Sequence, residues 1–320
     1  MNPKSPVRNA LVCAALAASL AAPAWAGEGG TSHPVPGSMS TLIDAVPSSG
    51  TGLFVKPMVM NYRGTASALV PTAAGVVANL EATVNTLAVV GGYTFGEKVF
   101  GATYSVVVAL PYSFIDISAN AQLPGGGTRR IANNVSGFGD LTVIPLMMGW
   151  KEPESPWQFN ALLPIYAPTG SYELGRLGNP GLNYWTFDPI VGIAYNDAQS
   201  GFNAVLNTGY AINTENPDTD YKSGDILHFD GSVQQILPVG KGLLTLGLEG
   251  FWFQQTGCDS GTGATLGCFK GRTAGIGPVL GYIQPIGQQR MIFELKWLPE
   301  LDTRNRLNGA FIWAKMVYKF

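Results

Sequence analysis

His228, Asp230 and Ser232 alternate along one segment, so on an extended strand an imidazole, a carboxylate and a hydroxyl share a face. Hydrolysis of a lipid would need that histidine to activate a serine while a third group orients the ring. The same residues serve equally well as a polar network inside a barrel. No catalytic residue is assigned, and the chain is expected not to be an enzyme. The other histidine, His33, stands in a Gly-, Ser- and Pro-rich stretch. Gly275-Ile276-Gly277 and Gly125-Gly126-Gly127 open no helical pattern and read as turn or bulge glycines rather than phosphate loops. Cys258 and Cys268 have no neighbouring histidine to complete a zinc set. In an exported chain, two cysteines closing a loop of about ten residues read as a disulfide. Neither a cofactor nor a metal is expected.

Charge is scarce: 12% of the residues are charged and 46% are hydrophobic, where soluble domains carry about 25% charged residues. Lys4 and Arg8 fall in a leader described below, which leaves 17 basic against 21 acidic residues, a net of −4. That balance argues against a nucleic-acid binder, and no nucleic-acid partner is expected. Period-2 alternation places Lys56, Asp188, His228, Asp230, Glu249, Glu294, Lys296 and Lys315 opposite apolar neighbours. A lysine turned to lipid at mid-membrane costs about 2–4 kcal/mol, so these residues are expected to line a lumen. They fit either an internal salt-bridge network that plugs a narrow barrel or a solute path with both signs of charge on its wall.

The elements that must carry these residues are strands. Trp313, Lys315, Val317 and Lys319 oppose Ile312, Ala314, Met316, Tyr318 and the terminal Phe320, and the same alternation recurs along the chain. On the fifth strand Trp157, Phe159, Ala161, Leu163 and Ile165 face lipid opposite Gln158 and Asn160, so Leu163→Arg is expected to impair folding while Asn160→Arg is tolerated. Residues 1–26 read as a signal peptide: Lys4 and Arg8, an apolar run from Ala10 to Ala22, then Ala24-Trp25-Ala26 as the cleavage site. Residues 27–50 read as a flexible periplasmic leader and residues 51–320 as the barrel. Twelve strands are expected: 53–62, 82–95, 102–117, 139–150, 157–167, 185–196, 201–212, 225–237, 242–255, 272–284, 291–298 and 308–320. Their connections alternate short and long, as periplasmic turns and extracellular loops do. The fold class is therefore all-β, a transmembrane antiparallel up-and-down barrel in the outer membrane of a Gram-negative bacterium. Its partners would be outer-membrane lipids and, through the C-terminal strand, the barrel-assembly machinery.

Gly137-Phe138-Gly139-Asp140-Leu141 with Pro145, Ala167-Pro168-Thr169-Gly170-Ser171-Tyr172, and Asn179-Pro180-Gly181-Leu182-Asn183-Tyr184-Trp185 with Pro189 form a signature. Tyr221-Lys222-Ser223-Gly224-Asp225 and Gly277-Pro278 with Tyr282 follow it. Together, over roughly residues 52–320, they resemble the phenol meta-pathway degradation family of outer-membrane transporters. The resemblance implies a barrel of about twelve strands and passage of small hydrophobic or aromatic compounds linked to phenol-type catabolism; it supplies no catalytic residues. Tyr184, Trp185 and Phe187 are candidate aromatics at the mouth for such a solute, or else part of the interface girdle. Asp140 and Asp225 read as loop anchors. The rivals are a structural or adhesive barrel and, third, an outer-membrane lipid-modifying enzyme.

The cleavage site predicts a mature chain beginning at Gly27. Intact-mass measurement of the membrane-extracted protein should match residues 27–320; a mass that retains Met1 would overturn it.

Overall fold

The computed structural model describes residues 28–45, 50–67, 69–122, 127–268, 270–287 and 289–320. The expected signal peptide, Cys13, Gly27 and the pair Gly125-Gly126 lie outside them. The strands are β1 (Gly52–Ala66), β2 (Val70–Thr72), β3 (Gly75–Thr94), β4 (Thr103–Gln122), β5 (Thr128–Phe138), β6 (Leu141–Lys151), β7 (Trp157–Leu162) and β8 (Ile165–Ala167). They continue with β9 (Thr186–Phe187), β10 (Ile190–Asn196), β11 (Phe202–Asn213), β12 (Ile226–Val239), β13 (Gly242–Gln255), β14 (Arg272–Ile286), β15 (Gln289–Arg304) and β16 (Asn308–Lys319). All pairings are antiparallel, and β1 pairs with both β3 and β16, which closes the sheet. Closure leaves no strand edge in lipid, where an unpaired N–H or C=O has no water to turn to.

Three pairs of strands are halves of single staves. β5 and β6 part at Gly139-Asp140, β7 and β8 at Leu163-Pro164, and β9 and β10 at Asp188-Pro189. Pro164 and Pro189 cannot donate to a ladder, so the pairing breaks there and resumes. With β2 paired only to β3, twelve staves make the wall. The expected loops 63–81 and 116–137 are largely strand, because β1, β3, β4 and β5 continue past the apolar belt. Their outward residues there are polar, among them Arg63, Thr65, Glu81 and Asp116. Hydrophobic alternation stops where lipid stops, whereas the backbone ladder does not.

The outer face is apolar in the middle, with Val89, Val191, Leu206 and Leu295 exposed there. Aromatic contacts ring it toward both ends: Trp157–Tyr195 and Phe95–Tyr104 near the short turns, Tyr112–Phe138 and Trp185–Phe187 near the long loops. These belts are the interfacial girdles of a bilayer-spanning barrel. In the loop between β13 and β14, Cys258 and Cys268 are joined as a disulfide.

Residues 28–45 correct the expectation of a flexible periplasmic leader. They run inside it as a plug, with a 3-10 turn at Glu28–Gly30 and one helical turn, α1 (Leu42–Ala45). Glu28 sits among the long loops through Ser223, while Lys319 at the turn end holds the Gly50 carbonyl. The segment therefore runs through the barrel from the loop end toward the turn end. Its composition gives no periodic signal because its backbone is satisfied by wall side chains and not by a ladder.

Leu295 and Lys296 are neighbours on β15 with opposite surroundings, 54% and 2% exposed. Leu295→Lys should lower the stability of the barrel in bilayers by about 2–4 kcal/mol, measured by urea titration of folding into lipid vesicles, while Leu295→Met should be neutral. Equal stabilities for the two variants would remove the lipid-facing assignment.

Candidate functional site

One half of the barrel interior is polar and grips the plug. Asp44 of α1 lies 2.7 Å from Lys56 Nζ, 2.6 Å from Lys315 Nζ and 3.3 Å from Lys296 Nζ. Lys296 also meets Glu249 at 2.8 Å and Glu294 at 3.0 Å. Three ammonium groups and three carboxylates thus balance in a buried site, the condition under which buried charge is tolerable. The same lysines hold plug backbone: Lys296 and Lys315 donate to the Gly37 carbonyl at 3.1 and 2.9 Å, and Trp313 Nε1 donates to that of Pro36 at 3.1 Å. The Gly37 N–H in turn donates to Asp230 at 3.3 Å. Gly37 has φ +82°, and a Cβ there would stand 2.5 Å from Leu298 and 3.0 Å from both Glu249 and Trp313. Only glycine brings the plug this close to the wall.

His228 completes the grip. Its Nδ1 lies 3.0 Å from Asp230 and its Nε2 3.0 Å from Asp188, and its ring stacks on Phe253. Both ring nitrogens therefore face carboxylates and neither is left to activate Ser232. The grouping is a structural bridge from wall to plug and not a Ser-His pair.

At the loop end, Asp140 accepts from the Gly170 N–H (2.9 Å) and the Leu182 N–H (2.6 Å), and its Oδ2 lies 2.9 Å from His33 Nε2. One carboxylate so anchors both ends of the loop 168–185 and the plug. His33 stacks on Tyr166 and meets Tyr184 edge-on. Glu28 accepts from Asn216 (2.8 Å), Tyr172 (3.2 Å) and Thr219 (3.3 Å). Burial pushes the Glu28 carboxyl above the usual range, and burial together with Glu28 pushes the Tyr172 phenol up to about 12. Asp225 accepts from the Asn213 N–H at 3.0 Å, as a loop anchor does.

The other half of the interior is mainly apolar at mid-depth and holds a cavity. A cavity of about 1320 Å³ lies between the plug and the inward faces of β1, β3, β4 and β6. Phe54, Met58, Met60, Val84, Val90, Val107, Ile144 and Met147 line it, with Pro34, Val35, Met39 and Ile43 of the plug opposite. The lining extends from Leu177–Leu182 at the loop end to Gly201, Pro238 and Arg290 at the turn end.

All eight charged or histidine residues placed inward by alternation are buried inside the barrel. Lys56 alone among them borders the cavity; the other seven are spent on the plug and wall network. Tyr184, Trp185 and Phe187 do not form one cluster. Tyr184 is buried against His33, while Trp185 and Phe187 stack on each other on the outer face. Strand alternation sends neighbours to opposite sides. Asn160 is inward but not facing open water: it is 3% exposed and donates to Asn207 at 3.0 Å, and Asn207 donates to the Met39 carbonyl of the plug. Asn160→Arg would therefore displace the plug and is not the mild change that an open lumen would allow. The cavity wall escaped the charge-based reading, although 87–90 and 106–110 are apolar on both faces and signal it.

A closed twelve-stave barrel with an apolar belt and two girdles is an outer-membrane barrel of the Gram-negative type, and its structural neighbours include an outer-membrane channel. Within that class the chain belongs to the family described as "Putative MetA-pathway of phenol degradation", whose profile matches residues 66–316. It is similar in structure to the COG4313 outer membrane channel from Pseudomonas putida F1, with a TM-score of 0.63 at 17% identity over 90% of this chain and 100% of that one. The transport unit of the autotransporter AIDA-I from Escherichia coli follows, with a TM-score of 0.47 at 9% identity over 88% and 94%. No curated protein matches the sequence.

Asp44→Asn should release the plug, since removing one partner of a buried ion network costs about 3–5 kcal/mol. Single-channel conductance in planar bilayers should rise several-fold, and the segment 28–45 should become open to protease. Unchanged conductance with a protected segment would show that Asp44 does not hold the plug.

Proposed function

We propose that this barrel passes small hydrophobic or aromatic solutes across the outer membrane, by diffusion through the apolar cavity beside the plug. The observation that carries this reading is the division of the interior. The mid-depth charges hold the plug. Further charged residues border the open space toward its ends, Glu28, Asp140, Glu300 and Arg306 at the loops and Lys151, Asp197, Arg290 and Lys319 at the turns. Beside β1, β3, β4 and β6 that space is walled mainly by Met, Val, Ile and Phe side chains with apolar plug residues opposite. A hydrated ion or sugar gains little there, whereas an apolar solute sheds about 25 cal/mol for each Å² it removes from water. The family supports the same solute class. Trp185 and Phe187, on the outer face, serve the girdle, and Tyr184 serves the plug. The path needs no cofactor and no covalent step.

A purely structural barrel is the second reading, and the anchored plug is the feature that favours it. The two separate in intact cells, where the lipopolysaccharide leaflet is the barrier to apolar solutes. Deleting the protein should slow growth and uptake on limiting aromatic substrates, and the chain supplied in trans should restore both. Uptake unchanged across a panel of aromatics at low concentration would leave the structural reading standing.

A further inference from the structure

The apolar wall of the cavity carries one hydroxyl pair, Thr86 on β3 and Ser113 on β4, and we infer that it is a recognition station for the hydroxyl of a phenol-type ring. The inference rests on the passage of aromatic solutes proposed above and names the functional group that the path selects. The two residues face each other across the ladder, their oxygens 2.8 Å apart, and both border the cavity. The rows on either side are apolar: Val84 with Ile115 toward the loops, Ala88 with Pro111 toward the turns. Met60 occupies the neighbouring place on β1.

Two hydroxyls bring two donors and four acceptor positions, and their mutual bond uses one of each. One O–H and three lone pairs remain, and neither side-chain oxygen makes a further hydrogen bond to a described residue. A phenolic hydroxyl both donates and accepts, so it can join the pair while its ring rests on the Met60 thioether and Val84, contacts that suit sulfur and an aromatic edge. A methyl group in the same place can do neither and leaves the pair unanswered. The asymmetry is the one by which a polar group in an apolar site discriminates: little is gained from an extra methylene, much is lost when a hydrogen-bonding partner is absent. A cross-strand hydroxyl pair that served the ladder alone would show no preference between the two solutes.

The test compares 4-ethylphenol with 4-ethyltoluene, in which a methyl replaces the hydroxyl, as radiolabelled solutes at limiting concentration. Cells lacking the protein receive the wild-type chain, the double variant T86V/S113A, or the conservative variant T86S; heat-modifiable migration of each extracted barrel verifies folding. The double variant should lose about tenfold in barrel-dependent 4-ethylphenol uptake, the loss of roughly one hydrogen bond's worth of affinity. Uptake of 4-ethyltoluene should stay within about twofold, and T86S should retain the wild-type preference. Equal losses for both solutes, or no loss for either, would overturn the station while leaving the path intact. A wild-type barrel that raises the uptake of neither solute above the barrel-less cells would overturn the proposed passage and the station with it.

Discussion

Asp44 is the point on which the interior turns. A closed barrel satisfies its own backbone but leaves a lumen whose inward side chains must find partners. On β13, β15, β16 and β1 those side chains are Glu249, Glu294, Lys296, Lys315 and Lys56, and without the plug carboxylate three ammonium groups would face two carboxylates. Asp44 evens the count and, with Gly37 and Pro36 supplying carbonyls, pulls the whole segment to one side. The asymmetry of the grip creates the cavity: a plug held on the axis would fill both halves poorly, whereas one held against the polar wall leaves the apolar wall bare.

The second dependency runs through Asp140. Because β5 and β6 separate at Gly139-Asp140, the wall there is completed by the loop 168–185 and not by a strand. Gly170 and Gly181 approach so closely that a Cβ on either would fall within 3 Å of backbone. Asp140 ties that loop through two backbone N–H groups and meets His33 of the plug with the same carboxylate. Wall and plug are so joined at the loop end by Asp140, beside the contacts of Glu28, and at mid-depth by the lysine cluster. A short hydrogen bond and an ion-pair network of this kind, both out of water, fix position more firmly than surface pairs do.

These features divide the labour of the signature residues. The Gly-Asp-Leu segment and the Asn179–Trp185 block build the part of the wall where strands fail, and Gly139, Asp140 and Asn179 to Leu182 border the cavity there. Of the inward charges expected from alternation, Lys56 borders the cavity and the other seven belong to the plug and wall network. On the proposed path the wall is made of residues of ordinary appearance, Met58, Met60, Val84, Val90 and Val107, with Thr86 and Ser113 among its few polar members.

The sequence by itself determined the barrel. Period-2 alternation is a direct record of which side meets lipid, because a charge on the wrong face costs several kcal/mol, and it yielded the staves, the facing of Phe293, Leu295 and Trp297 against Glu294 and Lys296, and the parity of the loops. It also set the pairing of Cys258 with Cys268 by nearness along the chain. The position of residues 28–45 was decided only by the tertiary structure, since a segment without its own ladder carries no period, and its partners Asp230, Lys296 and Lys315 lie about 190 to 280 residues away. Whether an inward charge lines a path or holds a plug depends on what stands opposite it across the lumen, and that relation exists only once the sheet has closed.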